Sequence, residues 1–319
     1  MPATGEDLGQ RLRDGDLSAA PAVLNLVENQ APAQREQIDA LLHAVSPAAL
    51  GGEAPAHVVG VTGPPGAGKS SLLSHLVAAW RAQGRSVAVL AVDPSSKRSG
   101  GALLGDRARI VVDPRDDQVF IRSMAAGGRL GGLAPATRAA AHALAAAFDV
   151  VVIETVGVGQ SETEVAEVAD SVAVVVQPGG GDVLQFLKSG IMEIPDVLVV
   201  TKADLGPVAL RSRRDLSAAL RSLGEQETKV VAVSSLAPPD GFDELVEALD
   251  EHRARLTVPA RRLAARRASA LADFTAEHGE RGLRALGGRR AALKLLGEQD
   301  AALDVPALTR ALQTRAAAA

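Results

Sequence analysis

The sequence has no cysteine and no tyrosine, and only 2% of its residues are aromatic. Without cysteine it can form neither disulfides nor a thiolate metal site. With so few rings it offers no stacking platform for nucleic-acid bases. A net charge of −4 lacks the basic surplus of a nucleic-acid binder. No apolar run approaches the roughly 18 residues that a membrane span requires, and residues 1–10 are polar with no signal-peptide core. The expectation is a cytoplasmic protein that partners neither nucleic acid nor membrane. Lysine is also scarce. Of six lysines, Lys69, Lys188 and Lys202 fall inside the motifs described below. What remains is ordinary for a globular chain: 319 residues, 47% hydrophobic and 23% charged, enough for one large α/β domain with appendages.

The strongest motif runs Gly63-Pro64-Pro65-Gly66-Ala67-Gly68-Lys69-Ser70-Ser71, which reads G-x-x-x-x-G-K-S from Gly63 to Ser70. An apolar run at 57–61 precedes it, and Leu72, Leu73, Leu76 and Val77 follow at helical spacing. Strand, glycine-rich loop and helix in that order form a phosphate-binding P-loop. The glycines let backbone N–H groups turn toward phosphate, and the helix N-terminus adds a favourable dipole. Lys69 would reach the β- and γ-phosphates, and the Ser70 hydroxyl would sit on Mg²⁺.

Further apolar runs end in chemistry-bearing residues. The strand at 86–92 leads to Asp93, a carboxylate at a strand's C-terminal end and so a candidate for Mg²⁺, directly or through water; the alternative is a turn aspartate. Residues 94–109 are polar and glycine-rich, fit for a switch loop, where Asp106 is either a second metal-shell carboxylate or a plain loop residue. A short strand at 119–122 and an alanine-rich helix at 134–147 follow. The strand at 148–155 ends in Glu154, the Walker B position for a Mg²⁺-water ligand, and continues into Gly157 and Gln160. Gly157 has no Cβ to keep its amide from the γ-phosphate; Gln160 either positions water or faces solvent. The strand at 171–177 gives way to Pro178, three glycines and Asp182, then a helix carrying Lys188, which either reaches charge on the nucleotide or a partner when that loop rearranges or is a solvated helix lysine.

After the strand at 196–200 comes Thr201-Lys202-Ala203-Asp204, the [NT]-K-x-D guanine-reading motif. The Asp204 carboxylate would accept from guanine N1–H and the 2-amino group, a donor pair that adenine lacks. Leaving a carboxylate unpaired costs on the order of 1–3 kcal/mol or more. The Lys202 stem would pack along the base. The strand at 229–233 ends in Ser234-Ser235-Leu236, where a backbone N–H would donate to guanine O6. Four motifs in this order, each after an apolar strand, point to GTP and GDP rather than ATP.

The flanks are helical. Residues 1–54 read as an N-terminal helical extension, 55–256 as the nucleotide domain, and 257–319 as a C-terminal helical arm. The arm looks too sparse in apolar residues for a core of its own, which points to packing on a second subunit. Its pairs Arg261-Arg262 and Arg266-Arg267 read as a solvated face. The fold class expected is α/β: a doubly wound, mostly parallel P-loop sheet with helical extensions.

These segments together resemble the methylmalonyl-CoA mutase-associated GTPases of the MeaB/ArgK type. The resemblance rests on G-P-P-G-A-G-K-S at 63–70, V-D-P-S-S at 92–96, G-D-R at 105–107, E-T-V-G-V-G-Q-S-E at 154–162, P-G-G-G-D at 178–182 with Gln185 and Lys188, and T-K-A-D at 201–204. It implies a GTP-hydrolysing chaperone, slow alone and stimulated by its partner, for an adenosylcobalamin-dependent methylmalonyl-CoA mutase or related acyl-CoA mutase. It also implies a homodimer formed through the C-terminal helices. It places Ser70, Asp93, Asp106 and Glu154 around Mg²⁺, and makes 178–188 a third switch that brings Lys188 to the nucleotide. Thr201 stands where the family usually has Asn, and Val183 and Phe186 where Glu and Gly are expected. The alternatives are an ArgK-type kinase or ATPase linked to amino-acid transport and a metal-insertion GTPase; the six scattered histidines and absent cysteine give the latter no metal-binding cluster.

Overall fold

The computed structural model describes residues 3–29, 31–93, 110–125, 133–155, 161–179 and 195–318, with Asp93 and 161–163 described by their backbone only. The chain divides into two compact units: one of Met1–Ala56, Pro135–Phe148 and Thr257–Ala319, the other of His57–Ala134 and Asp149–Leu256.

The second unit is built on a seven-stranded parallel sheet: β1 (His57–Thr62), β2 (Val87–Asp93), β3 (Val119–Ala125), β4 (Val150–Glu154), β5 (Ser171–Val176), β6 (Val197–Val200) and β7 (Lys229–Ala232). Their order is β3-β2-β4-β1-β5-β6-β7. Runs such as Val150–Ile153 and Val172–Val176 are buried throughout, because a parallel sheet is covered on both faces and has no solvent side to demand alternation. One face packs on the helix Lys69–Ala82 through Leu72, Leu73, Leu76, Val77 and Trp80, and on the helix Phe242–Arg255 through Phe242, Leu245 and Leu249. β1 lies between β4 and β5, so the sheet runs outward from it in both directions. That reversal is a topological switch point, and ligands bind beyond the strands' carboxyl ends there. No helix among the described residues is long and apolar enough to cross a membrane.

Polar side chains join the opposite, amino-terminal ends of three strands. His57 Nε2 lies 2.8 Å from Ser171 Oγ, which lies 2.8 Å from His252 Nδ1, and His252 Nε2 lies 3.0 Å from Asp196 Oδ1. His57 and Ser171 are fully buried. The helix Phe242–Arg255 is thereby tied to the starts of β1, β5 and β6.

The first unit is helical, and two expectations about its tail are corrected here. The tail helices Val258–Ala285, Arg289–Gly297 and Val305–Ala317 share a buried cluster of their own, including Leu271, Phe274, Leu283, Leu296, Leu308 and Leu312. Few large residues suffice because small ones let the chain close in: a Cβ on Gly282 would run into His278 and the Phe274 ring. Nor do the arginine pairs form a solvated face. Arg262 and Arg266 are 6% and 3% exposed. The Arg262 guanidinium donates to the carbonyls of Ala54 and Ala56, and Arg266 forks onto Glu53 at 2.8 and 2.9 Å and reaches the Ala301 carbonyl. Burying an arginine is costly unless its charge is hydrogen-bonded, and here both terminal guanidinium nitrogens of each arginine find acceptors.

Candidate nucleotide site

The loops after β1, β4, β5 and β6 leave the same edge of the sheet, so four distant sequence segments meet there. The loop 63–68 turns through left-handed backbone at Gly66 (φ 79°) and Gly68 (φ 93°). Gly63 (φ 143°) is needed for a further reason: a Cβ there would collide with the Val175 carbonyl of β5. The helix then starts at Lys69 with no side-chain cap. A helix N-terminus following a glycine-rich loop is the kind of place that suits an anion. The Lys69 ammonium is largely buried and donates to the carbonyls of Gly63 (2.8 Å) and Pro64 (3.3 Å), which holds it over the loop.

Glu154, 2% exposed, ends β4 beside Val61 of β1. Its Oε1 accepts from the Ser70 hydroxyl at 3.5 Å. The next residue fixes this alignment. Thr155 donates its amide to the Val61 carbonyl (3.0 Å) and its hydroxyl to Thr62 Oγ1 (2.8 Å). A hydroxyl and a carboxylate are thus brought together where the P-loop becomes helix, a hard-oxygen pair of the kind Mg²⁺ takes.

On the other side of β1, Thr201 joins the T-K-A-D segment 201–204 to the loop 63–68. Its amide donates to the Val176 carbonyl (3.0 Å), and its buried hydroxyl donates to the Ala67 carbonyl at 2.7 Å with Val176 O 3.2 Å away. A threonine therefore ties this segment to the loop with one short hydroxyl. Lys202 follows with φ 54°, left-handed backbone in a non-glycine residue. The Asp204 carboxylate is exposed, and its Oδ1 accepts from the Ser234 hydroxyl at 3.0 Å. Ser234 Oγ also accepts from the Leu236 amide (3.3 Å), and the Ser235 carbonyl lies 3.2 Å from His75 Nε2. An oriented, accessible carboxylate beside a held turn can accept from two neighbouring N–H donors, the pattern on the Watson–Crick edge of guanine.

The chain matches the sequence family described as "Methylmalonyl Co-A mutase-associated GTPase MeaB" over residues 20–281. It belongs to the MeaB family. Among relatives, it is 38% identical over 260 residues to GTPase ArgK of Escherichia coli, covering 79% of this chain and 77% of that one. It is 39% identical over 201 residues to the mouse protein named "Methylmalonic aciduria type A homolog, mitochondrial", covering 60% of this chain and 48% of that one. Among solved structures, it superposes on a crystal structure titled "LAO/AO transport system kinase" with a TM-score of 0.67, 28% identity and 98% of both chains covered. As a MeaB-family protein with GTPase relatives and a P-loop α/β fold, it is a GTP hydrolase.

In this MeaB-family chain the structure brings together Lys69, Ser70 and Glu154 at the P-loop, ties Thr201 to Ala67 of that loop, and joins Asp204 to Ser234 beyond the ends of β6 and β7. Asp93 is the last residue of β2, next to β4 in the sheet. Asp106, Gly157, Gln160, Val183, Phe186 and Lys188 lie outside the described residues. Sequence reasoning missed Thr62 and Thr155. Hydroxyls ending two adjacent strands were a readable signal for this pair.

Proposed function

We propose that this GTPase serves an adenosylcobalamin-dependent methylmalonyl-CoA mutase or a related acyl-CoA mutase, gating cofactor loading and protecting the partner from inactivation. The family match over residues 20–281 is the observation that carries this reading, and the pairing of a phosphate loop with a guanine-type carboxylate supports it. The P-loop amides of 63–71 and Lys69 bind the phosphates. Thr201, Lys202 and Asp204, with the turn 234–236, bind the guanine. Asp204 selects guanine, because adenine offers no donor pair to the carboxylate.

Ser70 and Glu154 present a hydroxyl and a carboxylate that fit magnesium; Asp93 and Asp106 are proposed as its further carboxylates. When bound, Mg²⁺ supplies positive charge against the β- and γ-phosphates. Lys69 would add positive charge there, Gly157, having no Cβ, would let its amide approach the γ-phosphate, and Gln160 would orient the attacking water for in-line displacement. Lys188 reaches the nucleotide when the partner is engaged, so turnover is slow alone and faster in the complex. The protein acts in the cytoplasm as a homodimer through residues 257–319, with 1–54 as an N-terminal extension to the domain 55–256.

The test is GTP turnover and co-purification with a candidate mutase, with GDP or a non-hydrolysable GTP analogue. Nucleotide-dependent association with stimulated turnover supports the reading. Rapid turnover alone, indifferent to any such mutase, removes it. Labelled γ-phosphate found on a protein acceptor would favour a kinase instead.

A further inference from the structure

Lys202 Nζ donates to Gln177 Oε1 at 2.7 Å. Gln177 is half-buried and directly follows β5; its neighbour Val176 receives the Thr201 amide. The two side chains therefore bridge the carboxyl ends of β5 and β6, on the edge where the nucleotide loops emerge. Lys202 is otherwise an exposed residue on left-handed backbone. A lysine stem has four rotatable bonds, and laying it along a base removes that freedom. An acceptor that holds the ammonium beforehand takes part of the loss out of the binding step.

We propose that Gln177 is a positioning residue for guanine binding, its side-chain carbonyl setting the Lys202 stem in place before the nucleotide arrives. This rests on reading 201–204 as the base site and adds a residue outside that motif. The effect belongs to nucleotide affinity, and it is equal for GTP and GDP because the γ-phosphate is not involved.

The experiment titrates GTP and GDP against the full chain, Gln177→Leu, Gln177→Glu, Lys202→Met and the Gln177→Leu/Lys202→Met double variant, and measures turnover kinetics on each. Leucine keeps the bulk and removes the acceptor; glutamate keeps it. The expected result is roughly three- to tenfold weaker binding of both nucleotides in Gln177→Leu, carried in KM rather than kcat. Gln177→Glu should retain affinity, and the leucine change should add nothing once Lys202 is methionine. Unchanged or tighter binding in Gln177→Leu, or an equal loss in the Lys202→Met background, overturns the proposal. ATP titrated against the full chain separates the two readings. If it binds as well as GTP, the base site itself falls; if guanine is preferred and Gln177→Leu is silent, only this proposal falls.

Discussion

Replacing Thr201 with valine tests whether one hydroxyl holds the T-K-A-D segment 201–204 to the loop 63–68. Valine matches threonine in shape, so the change removes the hydroxyl and little else. Thr201 is 3% exposed and Ala67 fully buried, so water cannot replace the lost donor to the Ala67 carbonyl. The Val176 carbonyl keeps the Thr201 amide and is not orphaned. One buried acceptor is thus left short, at a cost of about 1–3 kcal/mol. If all of it appears in nucleotide binding, the loss is roughly five- to a hundredfold, at 1.4 kcal/mol per factor of ten. Titration with a fluorescent GDP analogue measures it, and thermal unfolding measures whatever share falls on the free protein. Thr201→Ser keeps the hydroxyl and should stay close to wild type. If Thr201→Val changes neither nucleotide affinity nor unfolding temperature, the tie to Ala67 carries no energy and the reasoning is wrong.

Three further outcomes are expected. Arg266→Met should strand the Glu53 carboxylate and cost about 3–5 kcal/mol in thermal or denaturant unfolding, whereas Arg266→Met with Glu53→Leu should recover most of it, since a matched apolar pair leaves no unpaired charge. Burial pushes the His57 imidazole below its ordinary value of 6.5, outweighing the pull of Asp250 at 3.7 Å. The unfolded chain then binds the proton more readily than the folded one, so stability is present above about pH 6.5 and declines as pH falls toward the lower folded value; unfolding midpoints across pH 5–8 should show a shallower acid decline in His57→Gln, and identical slopes would refute this. Glu154→Gln should raise the magnesium concentration needed for half-maximal GTP turnover while leaving the fold intact by circular dichroism; an unchanged requirement would remove Glu154 from the metal site.

The sheet was legible because buried parallel strands leave a plain signature. Runs such as Val150–Ile153 and Val172–Val176 lack alternation and stop at glycine, proline or acidic residues, and all seven strands lie where those runs predict them. The P-loop was legible because it sits in a few consecutive residues. What the sequence did not disclose are contacts between segments far apart in the chain. Nothing around Arg266 announces that its partner is Glu53, 213 residues earlier, so its charge reads as solvated. The tail's core was hidden by composition: alanine and Gly282 contribute closeness of packing, which a count of large apolar residues overlooks. The Thr201–Ala67 and Gln177–Lys202 bonds are likewise consequences of strand order, visible only once β5 is seen between β1 and β6.

The most direct measurement is calorimetric titration of the purified chain with GTP and with ATP in the presence of Mg²⁺. Guanine selectivity of at least about a hundredfold is expected if the Asp204 carboxylate reads the base, because adenine offers it no donor pair. Equal affinity for the two nucleotides would contradict it.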